Sequence, residues 1–236
     1  MKKKDYINVF EQTNLVFDRC FICSFLSNFV VWAIVFILML FPVFGLGLSF
    51  YAMCFLCVGY KKNNLDCINK KTIKIEIVFE YFKNIISCFC LKASQLFITF
   101  VWSLLFIIPG LVTALNYSFA SYILCENPEM GTIMCLEKSK QLTYGKRAEM
   151  FVMYLLEFLL FVLIMVIISS FVILLNYYVS LPSWVNILVP LIISLFFFVA
   201  FVVPYFEMAF ANMYVNAKIA NQKSLKQKSV KSVSNV

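Results

Sequence analysis

Two glutamates stand deep inside apolar runs, Glu157 within 148–178 and Glu207 within 184–214. Glu157 lies ten residues beyond Arg147, and Glu207 eleven before Lys218. At 1.5 Å per helical residue, each sits roughly 15 Å from its basic boundary. Asn116, ten residues before Glu126, reaches the same layer by similar counting, with Asn28 and Ser103 close to it. A carboxylate at such depth is costly unless protonated, paired or hydrated, so these groups are expected to face one interior polar pocket. Two neighbouring carboxylates there would hold one proton or share a cation. The alternative is structural: each acid is neutral and hydrogen-bonded to a tyrosine or asparagine such as Tyr205 or Asn212, which fixes helix register. The structural alternative is favoured, because no basic or metal-selective partner is visible along these runs.

Other chemistry is sparse. The chain contains no histidine, which removes the commonest general base and excludes histidine-dependent triads within it. No phosphate-binding glycine loop, EF-hand or H-E-x-x-H pattern occurs. Of the nine cysteines, Cys20 and Cys23 begin the first apolar run, and Cys54 and Cys57 fall near the end of its second half. An antiparallel hairpin would bring the two pairs to similar depth, an arrangement able to hold zinc. Cysteine also packs as a small hydrophobe, and C-x-x-C arises readily in a cysteine-rich apolar chain. The reading is therefore no metal, no cofactor and no catalytic residue.

The elements that must position these residues are membrane helices. Of 236 residues 63% are hydrophobic and only 14% charged, and the mean hydropathy is +0.90; a soluble domain of this size is far less apolar. The chain reads as an all-α integral membrane protein with about six transmembrane helices and two cytosolic or interfacial amphipathic helices. Expected spans are about 21–41, 46–60, 88–108, 110–125, 148–176 and 184–215, within a single membrane domain 1–217. The segment 218–236, low in complexity and basic, is expected to be disordered near an anionic surface.

Two apolar runs, 21–58 and 87–125, are each roughly twice the length one crossing needs. The first is divided at Pro42–Gly47 and the second at Pro109–Gly110, because proline and glycine permit the dihedrals of a tight connection. Thr113, Asn116, Ser118 and Ser121 make the fourth span polar, so it is expected to face other helices. Between the second and third spans, Ile75, Val78, Phe79, Phe82 and Ile86 recur at helical spacing with Glu76, Glu80 and Lys83 opposite, an amphipathic helix. Asn127 suits an N-cap and Pro128 a first helical position, and Gly145 suits a left-handed stop, so a second such helix is expected between them.

With six spans and the N-terminus inside, all 20 basic residues fall in the inner segments and the three outer turns hold none. The positive-inside rule thus places both termini in the cytoplasm of a cell-membrane protein. The net charge of +8 is spread over these segments, which argues against nucleic-acid binding.

The stretch Ile108-Pro109-Gly110, Tyr117-Ser118, Tyr122-Ile123-Leu124 and Asn127-Pro128, followed by Ser139, Gly145 and Phe151, resembles a bacterial multi-pass membrane family. That family is catalogued as domain of unknown function nine-seventy-five and is similar to the membrane part of some glycerophosphodiester phosphodiesterases. Flanking matches, Gly45 to Lys62 with Val78 to Lys83, and Pro204-Tyr205 with Ala211 to Tyr214, extend the likeness over about 45–217. Lys146 stands where many members carry a histidine after the glycine. The family has no established activity, so the resemblance implies fold and location rather than a reaction. The expected function is a non-catalytic membrane module that interacts with lipids or with other membrane proteins. The alternative is a small transporter or transport accessory with an intramembrane carboxylate site.

Overall fold

A computed structural model describes residues 22, 24–38, 45–69, 77–178, 182 and 185–234, and among these there is no strand. The helices, in chain order, are α1 (Ser24–Leu38), α2 (Gly45–Ile68), the single turn α3 (Ile77–Glu80), α4 (Ile85–Leu105), α5 (Ile107–Tyr117), α6 (Ala120–Glu126), α7 (Thr132–Thr143), α8 (Arg147–Tyr178), α9 (Val185–Phe197) and α10 (Val203–Ser234). Four segments are long and apolar enough to cross a bilayer: Ile85–Leu105, Ile107–Glu126, Arg147–Asn176 and Asn186–Ser224, while α1 is apolar but shorter. The large apolar side chains of α4 and α8, among them Phe97, Phe100, Leu159, Ile167 and Phe171, are exposed along most of each helix. Such a surface belongs in lipid, where a helix that satisfies its own backbone carries no penalty for facing outward. The protein is an all-helical membrane protein.

α1 and α2 form an antiparallel pair stitched by polar side chains. Ser24 Oγ donates to Asn64 Oδ1 at 3.1 Å, Asn63 Nδ2 donates to Ser27 Oγ at 2.6 Å, and at the other end Ser49 Oγ donates to the Val35 carbonyl at 3.3 Å. These bonds account for a departure from the sequence reading. The second span was expected to stop near residue 60 and give way to a polar segment, yet α2 continues to Ile68 with Asn63, Asn64, Leu65 and Asp66 buried. Small polar residues in a membrane bundle act as interhelical glue as well as loop formers. The proposed division at Pro42–Gly47 falls largely on residues outside those described, with α2 beginning at Gly45.

The amphipathic helix expected over Ile75–Ile86 is described from residue 77, as α3 and a 3₁₀ turn, Tyr81–Asn84, that runs directly into α4. Val78 is fully buried, whereas Phe79 and Ile86 are exposed. α3 lies against α2 at Gly59, where an added Cβ would come within 2.7 Å of the Val78 backbone.

α4 and α5 meet at a one-residue break, but not at Pro109–Gly110. Phe106 is extended (φ −158°, ψ 143°), and α5 starts at Ile107. Pro109 occupies the first turn of α5, where a missing N–H costs nothing. Gly110 does other work: an added Cβ would lie 2.7 Å from Ser103 Cα, so the glycine lets α5 fold back closely on α4. A second break at Ser118–Phe119 separates α5 from α6, whose residues Ala120–Cys125 are all buried.

The helix start expected at Asn127–Pro128 is corrected. Asn127 closes α6, its N–H bonding the Ile123 carbonyl, and the Asn127 carbonyl accepts from Met130 in a turn that carries Pro128. α7 begins four residues later, at Thr132. Proline at the second position of a turn satisfies the same φ as proline at the start of a helix, so the sequence signal serves either. Gly145 does take the left-handed conformation expected of it, with φ 82°.

α8 spans Arg147–Tyr178 and packs beside α9. Between α9 and α10 the chain winds through a π-helical stretch, Phe198–Val202, just ahead of Pro204. Proline cannot donate to the carbonyl four residues before it, and a widened turn relieves both that loss and the ring clash. Asn28 Nδ2 donates to the Val199 carbonyl in this stretch at 2.6 Å, which ties α1 to the widened turn. The tail expected to be disordered after 217 continues α10 to Ser234 instead. No proline or glycine follows Pro204 in the chain, and Lys, Gln and Leu are good helix formers.

Candidate functional site

The buried core lies toward one end of the bundle, where α2, α6 and α10 converge and Leu56, Val58, Tyr122, Met213 and Tyr214 are almost fully enclosed. Two linked polar groups run through it. In the first, Lys61 of α2 pairs with Glu207 of α10 (Nζ to Oε2, 3.4 Å), and Tyr122 of α6 donates to the same carboxylate oxygen at 2.8 Å. The Lys61 ammonium also stands over the Tyr122 ring, 4.6 Å from its centroid. In the second, Glu126 accepts from Tyr214 at 2.7 Å and from Lys218 at 2.6 Å. The Tyr122 and Tyr214 rings stack at 5.4 Å with an interplanar angle of 18°, and Phe119 meets both edge-on. The aromatic trio joins the two charged groups into one stack.

Glu207, singled out from sequence, is thus paired with a base. That base is a residue the sequence reading assigned to the inner polar segment. Lys61 is the seventeenth residue of α2 and approaches Glu207 because α2 and α10 pack together. Glu157, on α8, is half-buried and within electrostatic reach of Glu207 and Lys61. Tyr154, one turn earlier on α8, reaches the same three groups and packs its ring on Phe210 at 4.4 Å.

Asn116 does not join them. Its carbonyl accepts from Ser139 at 2.7 Å and Thr143 at 3.4 Å, both on α7, and its side-chain Oδ1 is buried without a hydrogen-bond partner. Depth counting gives a level along a helix and not the face it presents, and at Asn116 α5 packs against α7. Asn28 bonds the π-helical stretch, and Ser103 packs at Gly110; neither contacts a glutamate. Pro109 and Gly110 shape the α4–α5 turn and take no part in the polar layer.

Sequence reasoning missed Lys61, Tyr122 and Tyr214. A lysine on the inner flank of a span is the normal orientation signal, so nothing in its position marked it as a partner. Tyr122 had a usable signal: in a seven-residue helix buried on every side, a tyrosine hydroxyl must find an acceptor.

Among the described residues no three His, Cys, Asp or Glu side chains converge as a metal site. Cys54 is buried and Cys57 half-buried on α2, while Cys20 and Cys23 lie outside the described residues. Comparison of the chain with protein families, with curated proteins and with solved structures gives no match.

Proposed function

We propose that this protein is a six-span, non-catalytic membrane module whose role is to interact with lipids, with both termini cytoplasmic. The observation that carries the reading is that both carboxylates at the core, Glu207 and Glu126, are paired within the bundle. Glu207 is satisfied by Lys61 and Tyr122, and Glu126 by Lys218 and Tyr214. A part-buried carboxylate that is already paired and hydrogen-bonded fixes helix register and leaves little driving force to take up an ion. The six spans are α1, α2, α4, α5 with α6, α8, and α9 with α10. Epitope tags inserted at residue 180 and at residue 230 test the topology in intact cells. The tag at 180 is expected to be accessible from outside and the tag at 230 only after permeabilisation; outside access at 230 overturns the arrangement.

A second reading, a small transporter, draws on Glu157, which stands within electrostatic reach of the Lys61–Glu207 pair without an ion-pair partner among the described residues. Proteoliposomes separate the two. The lipid-module reading expects no pH-driven cation flux above empty vesicles, and no change on Glu157→Gln or Glu207→Gln. Flux abolished by either substitution, with insertion intact, would install the transporter reading instead.

A further inference from the structure

Lys92 lines a cavity of about 380 Å³ between α2 and α4, open on one side. That volume falls within the roughly 300–1,000 Å³ of small-molecule sites. The cavity is polarised along its length. Lys92 and Cys57 stand at one end, Met53 and Leu96 in the middle, and Phe50 and Thr99 at the other. From residue 92 to 99 on α4, and from 57 back to 50 on α2, the walls run about 10 Å at 1.5 Å per residue. The lining is mostly apolar, with Gln95 and Thr99 as polar residues besides Lys92; Gln95 Nε2 donates to the Tyr117 carbonyl at 3.2 Å.

Lys92 is the cation that the polar layer leaves over. Its electrostatic neighbours are Lys61, Glu207 and the thiols of Cys54 and Cys57, and Glu207 is already taken by Lys61 and Tyr122. Among the described residues, Lys92 has no carboxylate within ion-pair distance. A second amine near Lys61, with no carboxylate of its own in ion-pair distance among the described residues, lacks a counter-charge that an anion in the cavity would supply. Snorkelling of the lysine to the interface would make up for this without a ligand. Apolar grooves of about 370 and 390 Å³ also lie between α8 and α9 and between α5 and α8, but neither has a cation in its lining, so the lysine is what sets this cavity apart.

Resting on the lipid-interacting reading above, we infer that this cavity binds one anionic glycerophospholipid, with its phosphate at Lys92 and an acyl chain along Met53, Leu96 and Phe50. Phe97 and Phe100, next in sequence to the lining residues Leu96 and Thr99, are exposed on α4, so a lipid would approach from the bilayer plane. Lys61 and Lys92 share the end of the bundle that carries Lys62 and Lys218. A headgroup at that level belongs to the positively flanked leaflet, where anionic lipids complement the basic residues.

Native mass spectrometry of the full-length protein in mild detergent tests this with phosphatidylglycerol, phosphatidylcholine and oleate added separately at equal concentration. Phosphatidylglycerol is expected to be retained about tenfold more than phosphatidylcholine, the equivalent of 1.4 kcal/mol. Lys92→Gln is expected to bring the two to parity, Lys92→Arg to keep the preference, and Thr99→Phe to lower phosphatidylglycerol occupancy with Lys92 still present. If Lys92→Gln does not fold, Thr99→Phe decides alone, and its retention of native occupancy refutes the site. A Lys92→Gln protein with its preference intact refutes the site while leaving the lipid-module reading standing; a native protein that retains none of the three lipids removes both. Oleate retained in place of phosphatidylglycerol overturns the phospholipid assignment.

Discussion

Glu207→Ala is expected to lower the stability of the detergent-solubilised protein by about 1–3 kcal/mol, less than a fully buried ion pair would lose, because Lys61 and Glu207 are 14% and 25% exposed. The substitution leaves Lys61 as an uncompensated charge, and it strips Tyr122 of the acceptor at 2.8 Å. Glu207→Gln keeps an acceptor for Tyr122 and removes only the charge, so it is expected to lose less. Replacing both partners, Lys61→Met with Glu207→Leu, is expected to recover most of the loss, because the double change buries no charge at all. Unfolding in mixed micelles reads all three variants. A Glu207→Ala protein as stable as the native one would mean that the pair is hydrated and does not fix the packing of α2 on α10.

The second large effect separates two glycines of the same helix. Gly59→Ala is expected to cost about 1–3 kcal/mol through overpacking, because the new methyl meets the Val78 backbone and not a movable side chain. Gly47 has nothing within 4 Å of where a Cβ would stand. Alanine there removes only the helical penalty of glycine, a gain of up to about 1 kcal/mol. Opposite signs are therefore expected from the same substitution in α2, measured as shifts in thermal unfolding in detergent. A neutral Gly59→Ala would show that α3 can lift from α2 at no cost, and that Val78 is not anchored there.

The sequence by itself determined that the chain is helical and lives in a membrane, because long apolar runs admit no other way to satisfy the backbone in lipid. It also determined where α8 lies, since an uninterrupted apolar run between Arg147 and Tyr178 has no internal signal to stop it. Gly145 was legible for a local reason: a left-handed stop needs glycine whatever surrounds it. The signals that failed were those with two local solutions. Asn127-Pro128 fits a turn as well as a helix start, and Pro109 fits the first turn of a helix as well as the break itself.

What only the tertiary structure decided was which polar residues meet. Depth along an ideal helix put Asn116 with Glu157 and Glu207. Its backbone carbonyl accepts instead from Ser139 and Thr143, because that stretch of α5 packs against α7. Lys61 looked like a flanking charge and became the partner of Glu207, because hydrogen bonds of Asn63 and Asn64 with Ser27 and Ser24 hold the polar end of α2 inside the bundle. Periodicity and charge counting describe one helix against its solvent, whereas an ion pair between residues 146 positions apart depends on how two helices pack, and that is a property of the whole bundle.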